Sequence, residues 1–416
     1  MIEDSCYERK TCRVCESTEL STEFKLTPTP PGNNFVSENF SEDEKVFPLD
    51  LKFCSECKHI QLGHVVNPKF LFQTNYSYVS STSSVFVDHL AQYADHIIKL
   101  LDLQPNALVV DIGSNDGTCL DFFKKKNLRV LGVDPAKEVS DIANRNGIET
   151  INDFFSSKLA KDISNSYGKA DLITSHNACA HIDDLSGVIS GVESLLKDDG
   201  VFVMEVGYFL DVFKNKWFDT VYHEHVDFHT VTPLVKLFAR FDMKIVRVER
   251  ISPQGGSIRV IAQKIKANKS ADSTVSELIE LEKELGLHSK KALNDFQSTI
   301  DNLKDDFIKL IAGLKKDGKS IGAYGAPTKA TTLCHHFNIN NSDIDFIVDD
   351  NPLKQGLFSP GKHIPVYSPD RIYDLKPDYL VILAWNFATP IMNNHKRYLD
   401  IGSFILPMPI PRIVGK

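Results

Sequence analysis

The feature that most constrains the fold is an alternation of short apolar strands and helical segments between residues 107 and 206. Four strand candidates lie in this region: ALVVDIG, RVLGVD, ADLITSH and GVFVMEV. Strands that alternate with helices form parallel sheets with helices on both faces. The segment from residue 84, SVFVDHLAQYADHIIKLLDL, has apolar residues at helical spacing and predicts an amphipathic helix. The sequence therefore predicts an α/β fold with a Rossmann-like sheet.

The first strand leads into a glycine turn, Val109–Gly117, with the sequence VVDIGSNDG. The bare backbone at Gly113 allows close approach of a ligand, and ligands of such sheets bind beyond the carboxyl ends of the strands. The turn lacks the GxGxxG pattern of dinucleotide sites. Its acids, Asp111 and Asp116, suit a cationic sulfonium and an ammonium group better than a pyrophosphate. We therefore predict that S-adenosylmethionine (SAM), rather than NAD, binds at this turn and donates a methyl group.

The next three strand ends add groups that suit the rest of this cofactor. An acid about 20 residues beyond the turn can hold both ribose hydroxyls, and Asp134 occupies that place. Phe154 or Phe155 could lie against the adenine. One such turn could be an ordinary strand-to-helix connection, but four suitable strand ends favour a cofactor site. The predicted cofactor residues are Asp111, Gly113, Asn115, Asp116, Gly117, Asp134, Phe154 and His176.

Five of the eight cysteines lie in the first 57 residues, and four of them form two CxxC pairs, Cys12/Cys15 and Cys54/Cys57. Two such pairs supply the four thiolates that structural zinc prefers in a tetrahedron. Four unrelated buried thiols would not explain the paired spacing. A redox CxxC is disfavoured because neither pair opens a helix after a strand. We predict one structural zinc ion, with no open coordination position for chemistry.

The rest of the chain predicts further domains. Residues 270–317 have leucine or isoleucine at helical spacing, and SIGAYGAP, DIDFIVDDNP and DYLVILAWNF form a second strand–helix series. The predicted organisation is a zinc-binding domain over 1–70, a SAM-dependent methyltransferase domain over 71–265, a helical connection over 266–317 and a second α/β domain over 318–416.

Composition excludes several classes of function. The formal net charge of −8 argues against a nucleic-acid binder, which would show a basic face. Apolar stretches are too short for a membrane span, and the N-terminal sequence lacks the pattern of a signal peptide. We therefore expect a cytoplasmic protein without nucleic-acid or membrane partners.

The segment Asp219–Val226 places two histidines, a carboxylate and a tyrosine within four residues, YHEH at 222–225. A second metal site is one possibility, but the segment lacks the helical spacing of HExxH. A solvated structural turn is another. A general base is favoured, because histidine is readily poised near neutral pH. His181 could join this group or be structural.

Taken together, these motifs resemble the sugar C-methyltransferases, which place the methyl branch on nucleotide-linked deoxysugars such as mycarose. The resemblance spans essentially the whole chain. Beyond the cysteine pairs, the glycine turn and YHEH, it includes YSY at 76–78, NACAH at 177–181, QGGSIR at 254–259, GAPTK at 325–329, VDDNPLKQG at 348–356, Pro360-Gly361 and AWNF at 384–387.

The resemblance implies SAM as donor, structural zinc, and methylation at C3 of a nucleotide-linked 4-keto-deoxysugar, with the nucleotide (TDP or GDP) left open. It implies that His225 is the base, and that Tyr76, Asn177, His181, Tyr222 and Glu224 surround the sugar. The chemistry expected is removal of the C3 proton by His225, tuned by Glu224. Tyr222, Asn177 or His181 would hydrogen-bond the C4 oxygen of the resulting enolate.

Three further residues are candidate substrate contacts. Tyr78 could reach the diphosphate or sugar, or be an aromatic contact between domains. Lys329 could pair with a phosphate or be a solvated lysine at a helix start, and Arg259 is a candidate anion contact. The alternative functions are an O- or N-methyltransferase on a sugar or small molecule, an NAD-dependent oxidoreductase, and a zinc-stabilised binding protein with a degenerate methyltransferase core.

Overall fold

The structure is a computed structural model that describes residues 5–38, 44–72, 79–267 and 269–415. Tyr76 and Tyr78, which were predicted to contact the substrate, lie outside these residues. Within the described ranges, no helix is both long and apolar enough to cross a membrane.

The N-terminal region is a small β domain. Its elements are β1 (Cys6–Glu8), β2 (Leu20–Thr29), β3 (Phe47–Cys54), β4 (Ile60–Leu62), β5 (His64–Val66) and the short helix α1 (Pro68–Phe72). Strands β2, β3 and β4 form an antiparallel sheet, and β1 pairs with β5. Exposure alternates along much of β2, whereas β3 is almost completely buried, so both faces of the sheet are covered at β3.

The central domain begins with the predicted amphipathic helix, and strands alternate with helices as predicted. The elements are α2 (Ser84–Leu101), β6 (Leu108–Ile112), α3 (Thr118–Lys124), β7 (Arg129–Val133), α4 (Lys137–Arg145), β8 (Thr150–Ile151), α5 (Ser157–Tyr167), β9 (Ala170–His176), α6 (Leu185–Leu195) and β10 (Leu196–Gly207). All five residues of β6 are buried, as expected for a central parallel strand.

The second half of this domain returns the chain to the sheet. Its elements are α7 (Phe209–Asn215), β11 (Asp227–Phe228), α8 (Val231–Ala239), β12 (Met243–Ile251) and β13 (Ser257–Lys264). The seven-stranded sheet has the order β12-β13-β10-β9-β6-β7-β8, and β13 is antiparallel to both neighbours. The chain moves outward from β6 to β8 and then reverses to β9, so the sheet has a switch point between β6 and β9, where ligands bind in such folds.

Strand β11 does not join the central sheet. It pairs with β4 and completes a four-stranded sheet of order β11-β4-β3-β2. The backbone immediately after His225 is therefore part of the zinc-binding domain's sheet. Nothing in the sequence predicted this strand, because it contains only two residues.

Two helices connect the central domain with the last one: α9 (Ser273–Glu284) and α10 (Lys290–Lys316). Helix α10 packs against all three domains through aromatic contacts. The ring centroid of Phe296 lies 5.1 Å from that of Phe24 in β2 and 6.3 Å from that of Phe209 in α7. The ring centroids of Phe307 and Phe337 are 5.6 Å apart. The connection is therefore part of the core.

The C-terminal domain contains β14 (Ile321–Tyr324), α11 (Thr328–His336), β15 (Phe346–Val348), β16 (Val366–Tyr367), α12 (Arg371–Leu375), β17 (Tyr379–Ile382), α13 (Ala388–Asn394), β18 (Ser403–Leu406) and β19 (Arg412–Val414). The strand order is β16-β15-β14-β17-β18-β19, parallel except for β19. This sheet has its own switch point, between β14 and β17.

Candidate active site and cofactor sites

The four predicted zinc ligands converge. The ligand atoms of Cys12, Cys15, Cys54 and Cys57 all lie within 4.8 Å of one another. The Sγ atoms of Cys12 and Cys57 are 3.4 Å apart, and those of Cys15 and Cys54 are 3.5 Å apart. Thiolates around zinc, with Zn–S bonds of about 2.3 Å in a tetrahedron, lie at comparable separations. The cluster therefore fits a closed four-thiolate site, and a structural role follows.

The predicted glycine turn lies at the switch point of the central sheet. Gly113 and Gly117 have φ angles of 76° and 80°, which disfavour any residue with a side chain. A Cβ at Gly113 would lie 2.4 Å from the Cβ of Ala178, in the loop that follows β9. The Gly113 amide donates to the Val133 carbonyl at 2.8 Å, which closes the turn against the end of β7.

Asp134 organises this edge through both of its carboxylate oxygens. The Asn115 amide donates to Oδ2 at 2.9 Å, and the Ala136 amide donates to Oδ1 at 2.8 Å. Burial raises the pKa of Asp134, and these two amides oppose the rise. The Ser80 amide donates to Asn115, and the Ser81 amide donates to Asp116. Asp134 retains acceptor capacity for ribose hydroxyls, while Asn115 and Asp116 also hold the segment that enters α2.

Asp111, at the end of β6, carries a buried carboxylate oxygen, Oδ1, with no hydrogen-bond partner in the described part of the chain. The pKa of Asp111 is raised to about 7, chiefly by burial; His176 opposes the rise, and the charge of Asp134 adds to it. A buried acceptor without a partner is costly unless a ligand supplies a donor. The donor set of this edge, which is acidic and contains a bare glycine, fits a cationic cofactor such as SAM.

His176 and Arg259 belong to a buried network around Glu205. His89 Nε2 lies 2.7 Å from Glu205 Oε2, His176 Nδ1 lies 3.2 Å from the same oxygen, and Arg259 Nε donates to Oε1 at 2.6 Å. Burial alone would raise the pKa of Glu205, but the two histidines and the guanidinium hold it well below its usual range. Arg259 also donates to Glu249 at 2.9 Å. Its guanidinium thus faces two carboxylates, and its predicted role as an anion contact stays a prediction.

Phe154 follows β8 at the predicted adenine position. It is half-buried, whereas its neighbour Phe155 is buried in the core. Of the two aromatic residues considered for this contact, Phe154 is the one with an accessible surface.

His225 lies beside Tyr222 in the predicted histidine-rich segment. The Tyr222 hydroxyl is 2.7 Å from His225 Nε2, and His225 Nδ1 is 2.9 Å from the Thr220 carbonyl oxygen. A carbonyl oxygen only accepts hydrogen bonds, so Nδ1 carries the proton. Nε2 is therefore unprotonated, and its lone pair accepts from the Tyr222 hydroxyl. Burial lowers the pKa of His225 to about 4. At neutral pH the imidazole is therefore uncharged, which is the form that can accept a proton.

His181 joins this pair. Its ring lies 4.9 Å from that of His225 in an edge-on arrangement. Burial, and then the proximity of His225, hold its pKa well below the usual range. Asn177 occupies the left-handed region with φ of 58°, and its amide donates to the Glu205 carbonyl at 2.8 Å. The structure therefore brings the end of β9 close to the YHEH segment.

Glu224 has a different environment from the one expected. It is buried, it accepts a hydrogen bond from the Asn33 side chain of the N-terminal domain, and burial raises its pKa to about 7. Its other oxygen, Oε2, has no partner among the described residues. The described hydrogen bonds of His225 run to Tyr222 and Thr220, so the suggested tuning of His225 by Glu224 stays a prediction.

The C-terminal switch point repeats the backbone arrangement of the central one. The Gly325 amide, at φ of 91°, donates to the Val348 carbonyl at 2.7 Å. Asp349 accepts from the Ala326 amide at 2.6 Å and from the Asn351 amide at 2.8 Å. Lys354 donates to the Ala326 carbonyl at 2.8 Å and stands 5.0 Å from the ring of Phe35. The sequences of the two turns, GSNDG at 113–117 and GAPTK at 325–329, do not show this likeness.

Lys329 starts helix α11 in this same region and is not a solvated lysine. Its Nζ donates to Asn386 Oδ1 at 2.7 Å and lies 3.4 Å from the ring centre of Trp385. Burial lowers the pKa of Lys329 to about 8, and the nearby Asp219 opposes this. Trp385 in turn donates its Nε1–H to Asp219 at 2.7 Å. Asp219 and Trp385 belong to two of the sequence motifs described above, but nothing in either motif indicates that the two residues contact each other.

Comparison with known proteins finds matches along most of the chain. Family models match in three successive ranges: a zinc binding domain over 12–72, a methyltransferase domain over 86–248 and a C-methyltransferase C-terminal domain over 252–409. The C-methyltransferase NovU of Streptomyces niveus is 35% identical over 406 residues, which cover 97% of this chain and 96% of that protein.

Two solved methyltransferases are similar to parts of the chain. Magnesium protoporphyrin IX methyltransferase of Synechocystis, solved with bound SAM, is 17% identical with a TM-score of 0.34 and covers 46% of this chain and 85% of its own. A SAM-dependent methyltransferase of Clostridium acetobutylicum is 15% identical with a TM-score of 0.35 and covers 43% and 92%. The family matches and the cysteine cluster confirm the predicted resemblance, fold class and cofactor pair of SAM and zinc.

Proposed function

This chain belongs to the C-methyltransferases, and on that premise we propose that it transfers a methyl group from SAM to C3 of a nucleotide-linked 4-keto-deoxysugar through an enolate. The observation that carries the proposal is the geometry of His225, whose Nδ1 is 2.9 Å from the Thr220 carbonyl while Nε2 faces the Tyr222 hydroxyl. This arrangement supplies a neutral base next to a hydroxyl donor, which is what carbon methylation beside a ketone needs.

A saturated sugar carbon is not a nucleophile, so the reaction requires loss of a proton. The ketone at C4 acidifies the C3 proton, and His225 Nε2 accepts it. As charge develops on the C4 oxygen, the Tyr222 hydroxyl turns from His225 to that oxygen. A well-placed donor of this kind contributes about 3 kcal/mol to transition-state stabilisation. Asn177 and His181, at the end of β9, are the further donors in the proposal.

At the other side of the site, the central glycine turn holds the methyl donor. When bound, SAM supplies an electrophilic methyl group to the sugar carbon. Asp111 and Asp116 would complement its positive charge, Asp134 would accept from the ribose hydroxyls, and Phe154 would contact the adenine. Gly113 and Gly117 keep the turn free of side chains, and His176, held by Glu205, borders the end of β9.

The nucleotide portion of the sugar substrate is proposed to bind toward the C-terminal switch point, where two lysine side chains lie. Lys329 and Lys354 lie near Gly325 and Ala326 and suit a diphosphate. Tyr76, Tyr78 and Glu224 are proposed sugar contacts on the basis of the family pattern alone.

The test is an incubation of the enzyme with TDP- and GDP-linked 4-keto-deoxysugars in deuterated water, followed by mass spectrometry. We expect one nucleotide class to exchange the C3 proton without SAM and to gain one methyl group with SAM. His225→Asn should lower both rates by about 10²-fold or more, as for loss of a general base. Tyr222→Phe should lower methylation while leaving SAM binding intact.

Methyl transfer to oxygen or nitrogen would require no exchange at C3. A product methylated on oxygen or nitrogen, or a His225→Asn variant with near wild-type turnover, would contradict the enolate mechanism. Product analysis by NMR separates a C–CH3 group from an O- or N-methyl group directly.

A further inference from the structure

The Thr220 carbonyl is the group that fixes the tautomer of His225, because it accepts the Nδ1–H at 2.9 Å. Thr220 ends a one-turn 3-10 helix, Phe218–Thr220, which is too short to be stable by itself. Within this turn the Thr220 amide and hydroxyl both contact the Trp217 carbonyl, at 3.2 and 2.7 Å. What holds the turn in place therefore decides how the base is oriented.

The C-terminal domain contacts this turn on both sides of Thr220. Trp385 Nε1 donates to Oδ2 of Asp219, the residue before Thr220, at 2.7 Å. Thr332 Oγ1 donates to the carbonyl of Val221, the residue after Thr220, at 3.0 Å. Both of these hydrogen bonds are buried. Breaking either one is costly, because it leaves a buried polar group without a partner.

Aromatic packing adds to the same contact. The ring of Phe218 stacks on Phe337 with centroids 4.9 Å apart, and Trp217 stacks on Trp385 at 4.7 Å with an interplanar angle of 22°. Lys329 covers the Trp385 ring at 3.4 Å and lies close enough to Asp219 to lower its pKa, which burial raises to about 6. Trp385 thus contacts the turn through its ring and through its N–H.

We propose that Trp385 and Thr332 of the C-terminal domain are positioning residues for the base, because they hold the turn whose Thr220 carbonyl sets the tautomer and direction of His225. This inference rests on the proposed function in one respect, that His225 is the base. Docking of the C-terminal domain then completes the catalytic group of the central domain, in addition to any contact that it makes with substrate.

The test uses the full-length zinc-loaded protein and three conservative substitutions. Trp385→Phe keeps an aromatic ring against Trp217 but removes the Nε1–H donor, and Thr332→Val keeps the shape and removes the hydroxyl. Tyr398→Phe is the matched control, because it removes a buried donor of the same domain, the Tyr398 hydroxyl on the Pro377 carbonyl at 2.8 Å, that lies outside this contact.

The first readout is the ¹⁵N-edited NMR spectrum of the histidine side chains without substrate, with His225→Asn to assign the His225 signals. In the wild type we expect a single Nδ1–H tautomer. Trp385→Phe and Thr332→Val should give a mixture of tautomers or exchange broadening at His225, and Tyr398→Phe should not. Unchanged His225 signals in both variants would overturn the proposal, whatever the substrate is.

The second readout is turnover. Mispositioning a general base should lower kcat by about tenfold or more in Trp385→Phe, with less loss in Thr332→Val and little change in KM for SAM. Equal losses in Tyr398→Phe would show a general structural effect and also contradict the proposal. If His225→Asn remained active while the NMR result held, the base assignment would fail and the positioning of His225 would stand.

Discussion

The central and C-terminal sheets use the same backbone arrangement at their switch points but differ in the charged side chains around them. In both, a strand ends in a glycine with positive φ whose amide bonds the end of the next strand, Gly113 to Val133 and Gly325 to Val348. In both, the next strand is followed by an aspartate that accepts two backbone amides, one from the glycine turn and one two residues further on.

The side chains around the two turns differ. The central turn has the partnerless oxygen of Asp111, whereas the C-terminal turn has Lys354 on the Ala326 carbonyl and Lys329 close by. The shared backbone opens a crevice without selecting a ligand. A few charged side chains then distinguish the two crevices, and in the proposed function they favour a cation at the central crevice and an anion at the C-terminal one.

The largest expected effect comes from removing zinc, which should impair ligand binding at the C-terminal crevice much more than at the central one. The N-terminal domain contacts the C-terminal crevice, where Phe35 lies under Lys354 and Thr331 donates to the Gly32 carbonyl at 3.1 Å. Zinc binding to such sites contributes about 10–16 kcal/mol to folding. Cys15→Ser or chelation should abolish turnover and nucleotide-sugar binding, while SAM binding falls much less.

The measurement is calorimetric titration of each ligand together with zinc content. Cys6→Ser is the matched control, because Cys6 lies in the same domain outside the four-thiolate cluster. If SAM binding were lost as completely as nucleotide-sugar binding, the central crevice would not be independent of the zinc-binding domain.

The next effect is a pair of glycine substitutions. Ala at position 113 would place its Cβ 2.4 Å from Ala178 Cβ, and Ala at position 325 would place it 2.5 Å from Ala384 Cβ. Each also forces positive φ on a residue with a side chain, which costs about 1–3 kcal/mol. We expect Gly113→Ala to abolish SAM binding and leave nucleotide-sugar binding measurable, and Gly325→Ala to do the reverse.

Thermal unfolding checks that both variants remain folded, and Gly286→Ala serves as the control. Gly286 also has positive φ, at 72°, but a Cβ there meets nothing within 4 Å. Loss of both ligands in either glycine variant would mean that the two crevices do not act separately.

A smaller effect is expected from the charges themselves. Asp111→Asn keeps the shape of the central crevice and removes the charge of that one side chain. It should weaken SAM binding by about tenfold or more, as for loss of a charge-assisted hydrogen bond. Lys354→Met should weaken nucleotide-sugar binding by a similar factor and leave SAM binding unchanged. Titration of both ligands with both variants tests the comparison, and crossed effects would refute it.

Much of the site was predictable because its signals are local. The cysteine spacing, the strand–glycine–helix pattern at Val109–Gly117 and the YHEH segment each lie within a few residues. The structure places Asp111 near Asp134, and His181 beside His225. The second crevice was harder to see, since its likeness to the first lies in backbone hydrogen bonds of Gly325 and Asp349 and not in residue identity.

The contacts between domains could not be predicted. The pairing of Asp227 and Phe228 with β4 involves a strand of two residues, which has no periodicity to detect. The bond from Trp385 to Asp219 joins residues 166 positions apart, and the bond from Arg259 to Glu205 joins residues 54 positions apart. Such pairings depend on how the domains pack and leave no local pattern.

The smallest effect is a pH dependence that should be specific to the central crevice. Burial raises the pKa of Asp111 to about 7, so below that pH the folded protein binds a proton there that a cationic ligand must displace. SAM affinity should therefore increase by about tenfold between pH 6 and pH 8, the change expected for release of one proton. Titration across this range measures the slope.

Asp111→Asn is the decisive comparison, because it has no proton to release and its weaker SAM binding should be independent of pH in this range. Folding stability should depend on pH in the opposite direction to SAM affinity. A carboxyl with a raised pKa in the folded state stabilises the fold only at low pH, and this contribution is lost as pH rises from about 4 to about 7. In urea unfolding, Asp111→Asn should therefore gain stability relative to the wild type as pH rises. A variant that kept the wild-type slope for SAM would place the responsible proton elsewhere and remove Asp111 as the source of the crevice's preference for a cation.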